Sequence, residues 1–196
     1  LKYVAEMFCD RVAASKIYKG RDYTDDYPLK YYMSGRDAKT MHPETAAFLR
    51  RCRELGLPIA AVTDCHKPDA EEFRSYPAHC LEGTPESELV EEIREFPETV
   101  IRKNSTNAFF APGMDELLRG VETVVVTGCC TDICVMQFVL TLKAAWNQAD
   151  RPVEIIVPRQ LVETYDAPGH SGELMGGAAL VSMLGNGVRV VNYRAE

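Results

Sequence analysis

The stretch Val121–Cys134 constrains this chain more than any other. Its first half ends in three consecutive valines, Val124, Val125 and Val126, with no alternation of apolar and polar residues. A strand of that kind needs cover on both faces, which favours a parallel sheet over a half-solvated hairpin. The turn Thr127-Gly-Cys-Cys-Thr-Asp-Ile-Cys134 follows at once, and residues 133–148 then predict a buried helix. Strand, tight turn and helix in that order put Cys134 at the carboxyl end of a strand. There the thiol sits beside unpaired backbone N–H groups and the positive end of a helix dipole. Both favour a thiolate.

Similar short apolar runs recur at Tyr3–Cys9, Pro58–Thr63, Thr99–Arg102, Val153–Val157 and Gly187–Val191, Glu6 being the one awkward residue in the first. Helical patterns separate them. His42-Pro43 opens a helix with proline at its favoured first position, Phe48, Cys52 and Leu55 on one face, and Gly56 at its end. Thr84-Pro85 predicts another, with Leu89, Ile93 and Phe96 inward. A short helix spans Gly113 to Arg119, and a last one spans Gly172 to Leu184 with Leu174, Ala178, Val181 and Leu184 inward. Strands alternating with helices predict an α/β fold: a doubly wound, mostly parallel sheet of about six strands with helices on both faces. We expect one domain over residues 1–196, with 11–40 as a long loop or arm.

The net charge of −7 argues against nucleic acid or an anionic membrane as partner. No apolar run is long enough to span a bilayer and no secretory leader pattern opens the sequence, so a cytoplasmic protein is expected. Seven cysteines, an odd number without a C-x-x-C pair, suit reduced thiols acting as small apolar residues. Cys134 departs from that background by its position.

Sites in open α/β sheets form at the carboxyl ends of strands. Those ends carry Asp10, Asp64, Lys103 and Cys134. A carboxylate such as Asp10 can take the thiol proton, and Lys103 can stabilise both anions. The thiolate then attacks a planar carbonyl carbon, with backbone N–H groups of Cys130 and Cys134 as the oxyanion hole. A single lysine after a strand is more often only solvated.

A second group follows β-type residues at Asp64, His66, Glu72 and His79. Asp64 and His66 point the same way on an extended segment. His79 returns from the loop, and Glu72 binds directly or through water. Imidazole with carboxylate suits a divalent metal, Zn²⁺, Fe²⁺ or Mn²⁺.

These residues resemble the isochorismatase-like cysteine hydrolases, and among them the nicotinamidase-related amidases, over roughly residues 42–193. The Thr127 to Cys134 motif is similar to the family's nucleophile turn. The resemblance implies a cis peptide at Cys129–Cys130. Lys103 with Asn104 to Phe110 resembles the catalytic lysine segment. Asp64, His66, Glu72 and His79, with Gly83-Thr84 beyond, resemble the nicotinamidase metal stretch, for which zinc is the first expectation. Isochorismatases proper usually lack that set, which favours the amidase branch. Glu163 to His170 also resembles a family segment. The family implies a homo-oligomer, and residues 11–40 are long enough to reach a neighbouring subunit. Two N-terminal alignments stay open. In one, Tyr3 to Cys9 is the strand and Asp10 the triad acid. In the other, Phe8 is a later family phenylalanine and the acid is missing.

The expected activity is metal-dependent hydrolysis of nicotinamide to nicotinate and ammonia through a thioester on Cys134. Tyr76 is a candidate wall for the substrate ring or simply a packing residue. A related amidase acting on another small amide or ureido compound is the alternative. A pseudoenzyme binding module lacking the triad Asp is a third reading.

Overall fold

The computed structural model describes residues 3–8, 43–166 and 169–194. Asp10 and the expected arm at 11–40 lie outside these residues. Seven strands are described: β1 (Tyr3–Phe8), β2 (Ile59–Asp64), β3 (Thr99–Lys103), β4 (Thr123–Cys129), β5 (Glu154–Pro158), the two-residue β6 (Val162–Glu163) and β7 (Arg189–Val191). They form one sheet in the order β3-β2-β1-β4-β5-β7, with β6 paired to β4. Every pairing is parallel. The α/β expectation holds, with six strands along the sheet and β6 as a short addition.

The order has a consequence for function. From β1 the chain moves outward through β2 to β3, and then β4 starts again on the other side of β1. Strand order therefore reverses between β1 and β4, which is where open α/β sheets form their crevice. Register fixes what faces it: Asp64 pairs with Lys103, Phe8 with Thr63, and Met7 with Gly128.

Among the described residues, four α-helices accompany the strands: α1 (Pro43–Glu54), α2 (Met114–Leu117), α3 (Met136–Gln148) and α4 (Gly172–Gly185). The valines of β4 alternate between two cores, which explains their unbroken apolar run. Val124 and Val126 join Phe138, Leu142, Trp146, Ile155 and Met183 on the α3 and α4 side. Val125 joins Leu49, Cys52, Ile59, Ile93 and Phe96 on the α1 side. No helix among the described residues is long and apolar enough to cross a membrane.

Three local expectations are corrected. Thr84–Phe96 is no α-helix: only Pro85–Ser87 is helical, as one 3₁₀ turn, and Glu88 is extended. The Thr84 and Ser87 hydroxyls donate to the carbonyls of Leu81 and Thr84, a local alternative to helical bonding. Leu89, Ile93 and Phe96 are buried all the same. In α4 the inward residues are Gly176, Ala179 and Met183, while Leu174, Ala178, Val181 and Leu184 are exposed. The helix packs through its small side, which permits close approach: a Cβ on Gly176 would touch Thr164 Cγ2 at 3.5 Å. Leu55 lies past the end of α1 and is 58% exposed. Leu49→Ala should therefore destabilise the protein by about 2–5 kcal/mol and Leu55→Ala by less than about 0.5 kcal/mol. Urea midpoints of the two variants check this difference.

Candidate active site

β4 delivers the nucleophile turn to the crevice. The Cys129–Cys130 peptide is cis. Thr131–Val135 then forms a π-turn in which the Val135 N–H donates five residues back to the Cys130 carbonyl, at 3.1 Å. The Ile133 N–H donates to the same oxygen at 3.2 Å. Cys134 thus lies in a widened turn ahead of α3, one step earlier than the first turn of an α-helix expected from sequence. Turns of this type recur at functional sites. Its side chain is buried, at 1% exposure.

Lys103, the last residue of β3, is 2% exposed. Its Nζ donates to Cys134 Sγ at 3.6 Å and forms an ion pair with Asp64 Oδ1. A buried ammonium needs such partners. Parallel register explains the second contact, because Asp64 and Lys103 are matched end residues of neighbouring strands. From sequence, Asp64 is one of the four strand-end residues and a metal ligand. The structure gives it a second role as the counter-ion of the lysine at the thiol.

Asp64, His66 and His79 converge, each offering a ligand atom within 4.8 Å of the others, and all three are buried. The backbone makes this possible: the His66 N–H donates to the Cys80 carbonyl, and the Glu82 N–H donates to the His66 carbonyl, both at 2.9 Å. That bridge folds the 67–79 loop back on the end of β2. His79 Nδ1 lies 2.8 Å from the Pro77 carbonyl, an acceptor, so this nitrogen donates and Nε2 is the atom left to face a metal. Burial lowers the His66 pKa against the opposing charges of Asp64 and Glu72, with His79 and Lys103 adding to the lowering. Its imidazole is therefore held neutral, the form that binds a metal.

The polar atoms test whether a metal fits. Both ring nitrogens of His66 and Glu72 Oε1 are buried without a hydrogen-bond partner. Buried polar groups are rarely left so. Glu72 Oε2 accepts from the Thr106 N–H at 2.7 Å, which aims the other oxygen to within 3.9 Å of His66 Nε2. Nitrogen and carboxylate donors with no thiolate suit a borderline divalent ion. The residues fit the group.

Tyr76 is half-buried on the same loop. The ring that meets the histidines is Phe73, which sequence reasoning missed, at 5.2 Å from His66 and 5.8 Å from His79 between centroids. Its one signal was an apolar residue among charges in Glu71-Glu-Phe-Arg74. The segment after Lys103, which resembles the catalytic lysine stretch, makes cross-links that spacing did not indicate. Asn104 Oδ1 accepts from the Lys67 N–H at 2.9 Å, Thr106 Oγ1 donates to Gln137 Oε1 at 3.1 Å, and Asn107 Nδ2 donates to Thr141 Oγ1 at 2.9 Å. Residues 104–107 thereby join the metal loop to α3.

Comparison with known proteins identifies the family. The isochorismatase domain matches residues 22–183. Nicotinamidase 1 of Arabidopsis thaliana is 33% identical over 195 residues, covering 81% of this chain and 79% of that protein. The crystal structure of pyrazinamidase of Pyrococcus horikoshii in complex with zinc shares the fold at a TM-score of 0.67 and 20% identity, covering 98% of this chain and 99% of that one. N-carbamoylsarcosine amidase from Thermoplasma acidophilum does so at 0.64 and 24% identity, over 98% and 96% of the two chains. A domain match over most of the chain and a relative one-third identical establish that this protein belongs to the isochorismatase-domain family of hydrolases, among the relatives of the nicotinamidases.

Proposed function

We propose that the protein is a metal-dependent cysteine amidohydrolase whose first substrate is nicotinamide, releasing nicotinate and ammonia. One observation carries the reading. Cys134 Sγ lies 3.6 Å from the buried Lys103 Nζ, and the same lysine is paired with a residue of the Asp64, His66 and His79 cluster. The likeness to a nicotinamidase supports the choice of amide.

In this mechanism the Cys134 thiol gives its proton to a carboxylate, for which we propose Asp10, two residues beyond the end of β1. The thiolate adds to the amide carbonyl carbon. Lys103 holds the developing negative charge near the sulfur, and the Cys130 and Cys134 backbone N–H groups are the proposed oxyanion donors. The C–N bond breaks, ammonia leaves with the returned proton, and the acyl group stays on sulfur as a thioester. Water then cleaves the thioester, yielding the acid and restoring the thiol. Asp64, His66 and His79, with Glu72 directly or through water, would hold the metal, zinc first and iron or manganese as alternatives. A bound ion supplies Lewis-acid polarisation of a substrate ring nitrogen or carbonyl. Tyr76 is the proposed wall for the ring, with Phe73 beside the histidines.

The chain is proposed to act as one domain and to self-associate. The exposed Leu174, Val181 and Leu184 of α4 support the second point. Six free cysteines among the described residues support a reducing, cytoplasmic setting.

The test is ammonia and nicotinate release by the metal-loaded protein, beside a linear ureido compound and an aliphatic amide. Nicotinamide should be turned over best. Chelation should lower the rate at least about tenfold, and zinc, manganese or iron should restore it. His66→Ala should remove the bound metal by elemental analysis. Turnover of the ureido compound alone would select the alternative that the N-carbamoylsarcosine amidase likeness suggests.

A further inference from the structure

The nucleophile turn carries a second charged residue that the chemistry above does not use. Asp132 lies two positions before Cys134 in the π-turn, and its side chain is 6% exposed. Its Oδ1 accepts from Thr164 Oγ1 and its Oδ2 lies 2.8 Å from His170 Nε2. The other ring nitrogen, Nδ1, lies 2.9 Å from the Tyr165 carbonyl, and the Tyr165 ring stacks on the imidazole at 4.1 Å and 12°. β6 leads into this segment and pairs with Gly128 and Cys129 of β4. Thr164 and His170 thus hold, through Asp132, the turn whose Cys134 meets Lys103.

We propose that Asp132 and His170 are positioning residues that fix the Cys134 turn through a doubly protonated imidazole. The proton count requires it. A carbonyl oxygen and a carboxylate oxygen only accept, so both ring nitrogens must donate for both bonds to exist. A neutral ring has one N–H and must give up one of them. The charged ring also neutralises Asp132, which would otherwise set a bare carboxylate on the turn that carries the thiolate.

The surroundings agree. Burial disfavours the charged ring, but the bonds to Asp132 and the Tyr165 carbonyl, with the Asp132 charge, outweigh it and hold the His170 pKa above its ordinary value. Asp132 is the charge that acts on it; Asp166, on the same segment, accepts from the Gly172 N–H at 2.8 Å. The sign follows. A group whose pKa is raised by folding contributes stability that is complete below its unfolded value, about 6.5, and lost as pH rises through the folded one. The clasp is closed in acid and opens towards alkaline pH.

The inference rests on Cys134 being the nucleophile, and the experiment separates the two. Imidazole proton NMR of the intact protein needs no substrate, and His170→Ala assigns the His170 signal among four histidines. His170 should titrate above about 6.5. kcat is measured on whichever of the three amides turns over. In His170→Ala it should fall about ten- to a hundredfold with KM within about threefold, as expected when a reacting group is misplaced. The unmodified enzyme should lose kcat on an alkaline limb that follows the His170 titration. Asp132→Asn is the discriminating variant. Its amide can donate to a neutral Nε2 while Nδ1–H still donates to Tyr165, so the clasp closes without the charge. That variant should keep more activity than His170→Ala and lose the His170-linked limb. His170→Ala with the kcat of the unmodified enzyme, a His170 that titrates at or below 6.5, or an Asp132→Asn limb unchanged from the parent overturns the proposal. No turnover of any amide by the unmodified enzyme would instead count against the proposed function.

Discussion

Cys134→Ala leaves a folded protein whose amide hydrolysis is lower by about 10⁴- to 10⁶-fold, the scale seen when a covalent nucleophile is removed. Stability should change little, since deleting one buried sulfur leaves a small void worth about 1 kcal/mol. Cys134→Ser should be nearly as inactive. A hydroxyl is far less acidic than a thiol, and Lys103 can stabilise an anion only once it forms. Cys52 provides the contrast. Burial pushes its thiol up to about 11, so near pH 8 only about one part in 10³ is thiolate. Cys52→Ala should therefore keep its activity. The decisive measurement is mass spectrometry of protein quenched during turnover. A nicotinoyl adduct should appear on the peptide carrying Cys134 and be absent from Cys134→Ala. An adduct on another cysteine, or full activity without Cys134, would sink the assignment.

The parts of this protein legible in its sequence are those where one residue type has few uses. Three adjacent valines need a strand covered on both sides, and Val124, Val125 and Val126 divide between the two cores accordingly. Asp64 and His66 sit where a strand ends, and their buried convergence with His79 follows from one backbone bridge at Leu81. Helix faces were harder to read. The pattern Leu174, Ala178, Val181 and Leu184 is as apolar as the true inner side, and apolar periodicity alone does not say which stripe a neighbour covers. Gly176 lies on the inner stripe because that side faces Thr164, and α4 packs on the π-turn. Leu89, Ile93 and Phe96 show the converse, in that helical spacing of buried residues does not require a helix. Irregular turns bury the same three positions once Thr84 and Ser87 take the local carbonyls.

Contacts between distant segments were not legible in spacing at all. The pairing of Asp64 with Lys103 depends on β2 and β3 being neighbours in one register. Asp132 with His170 depends on β6 joining β4. Both involve charged residues that composition alone would leave in solvent. Each became readable only through burial, because a charged group taken out of water must find a partner.

The Lys103 pair leads to the second large effect. Lys103→Met keeps the length of the side chain and removes the charge. Activity should fall at least about 10³-fold, because the thiolate and the developing oxyanion lose the Lys103 ammonium beside them. Stability should also fall, by about 3–5 kcal/mol, since Asp64 is left buried without its counter-ion. That second loss has an internal control. In the double variant Asp64→Asn with Lys103→Met, the uncompensated charge is gone, so much of the stability should return while activity does not. The non-additivity between the two sites, read from urea midpoints of the four proteins, measures their coupling. Zinc provides a further separation. A divalent ion on Asp64, His66 and His79 would offset the Asp64 charge in place of the ammonium, so zinc should raise the Tm of Lys103→Met more than that of the parent. It should not restore turnover, because the missing cation acts at the sulfur, 3.6 Å from Nζ in the intact protein. Additive stability losses in the double variant would show that Asp64 and Lys103 are not coupled, and recovery of activity with zinc would show that Lys103 serves the metal cluster and not the thiol.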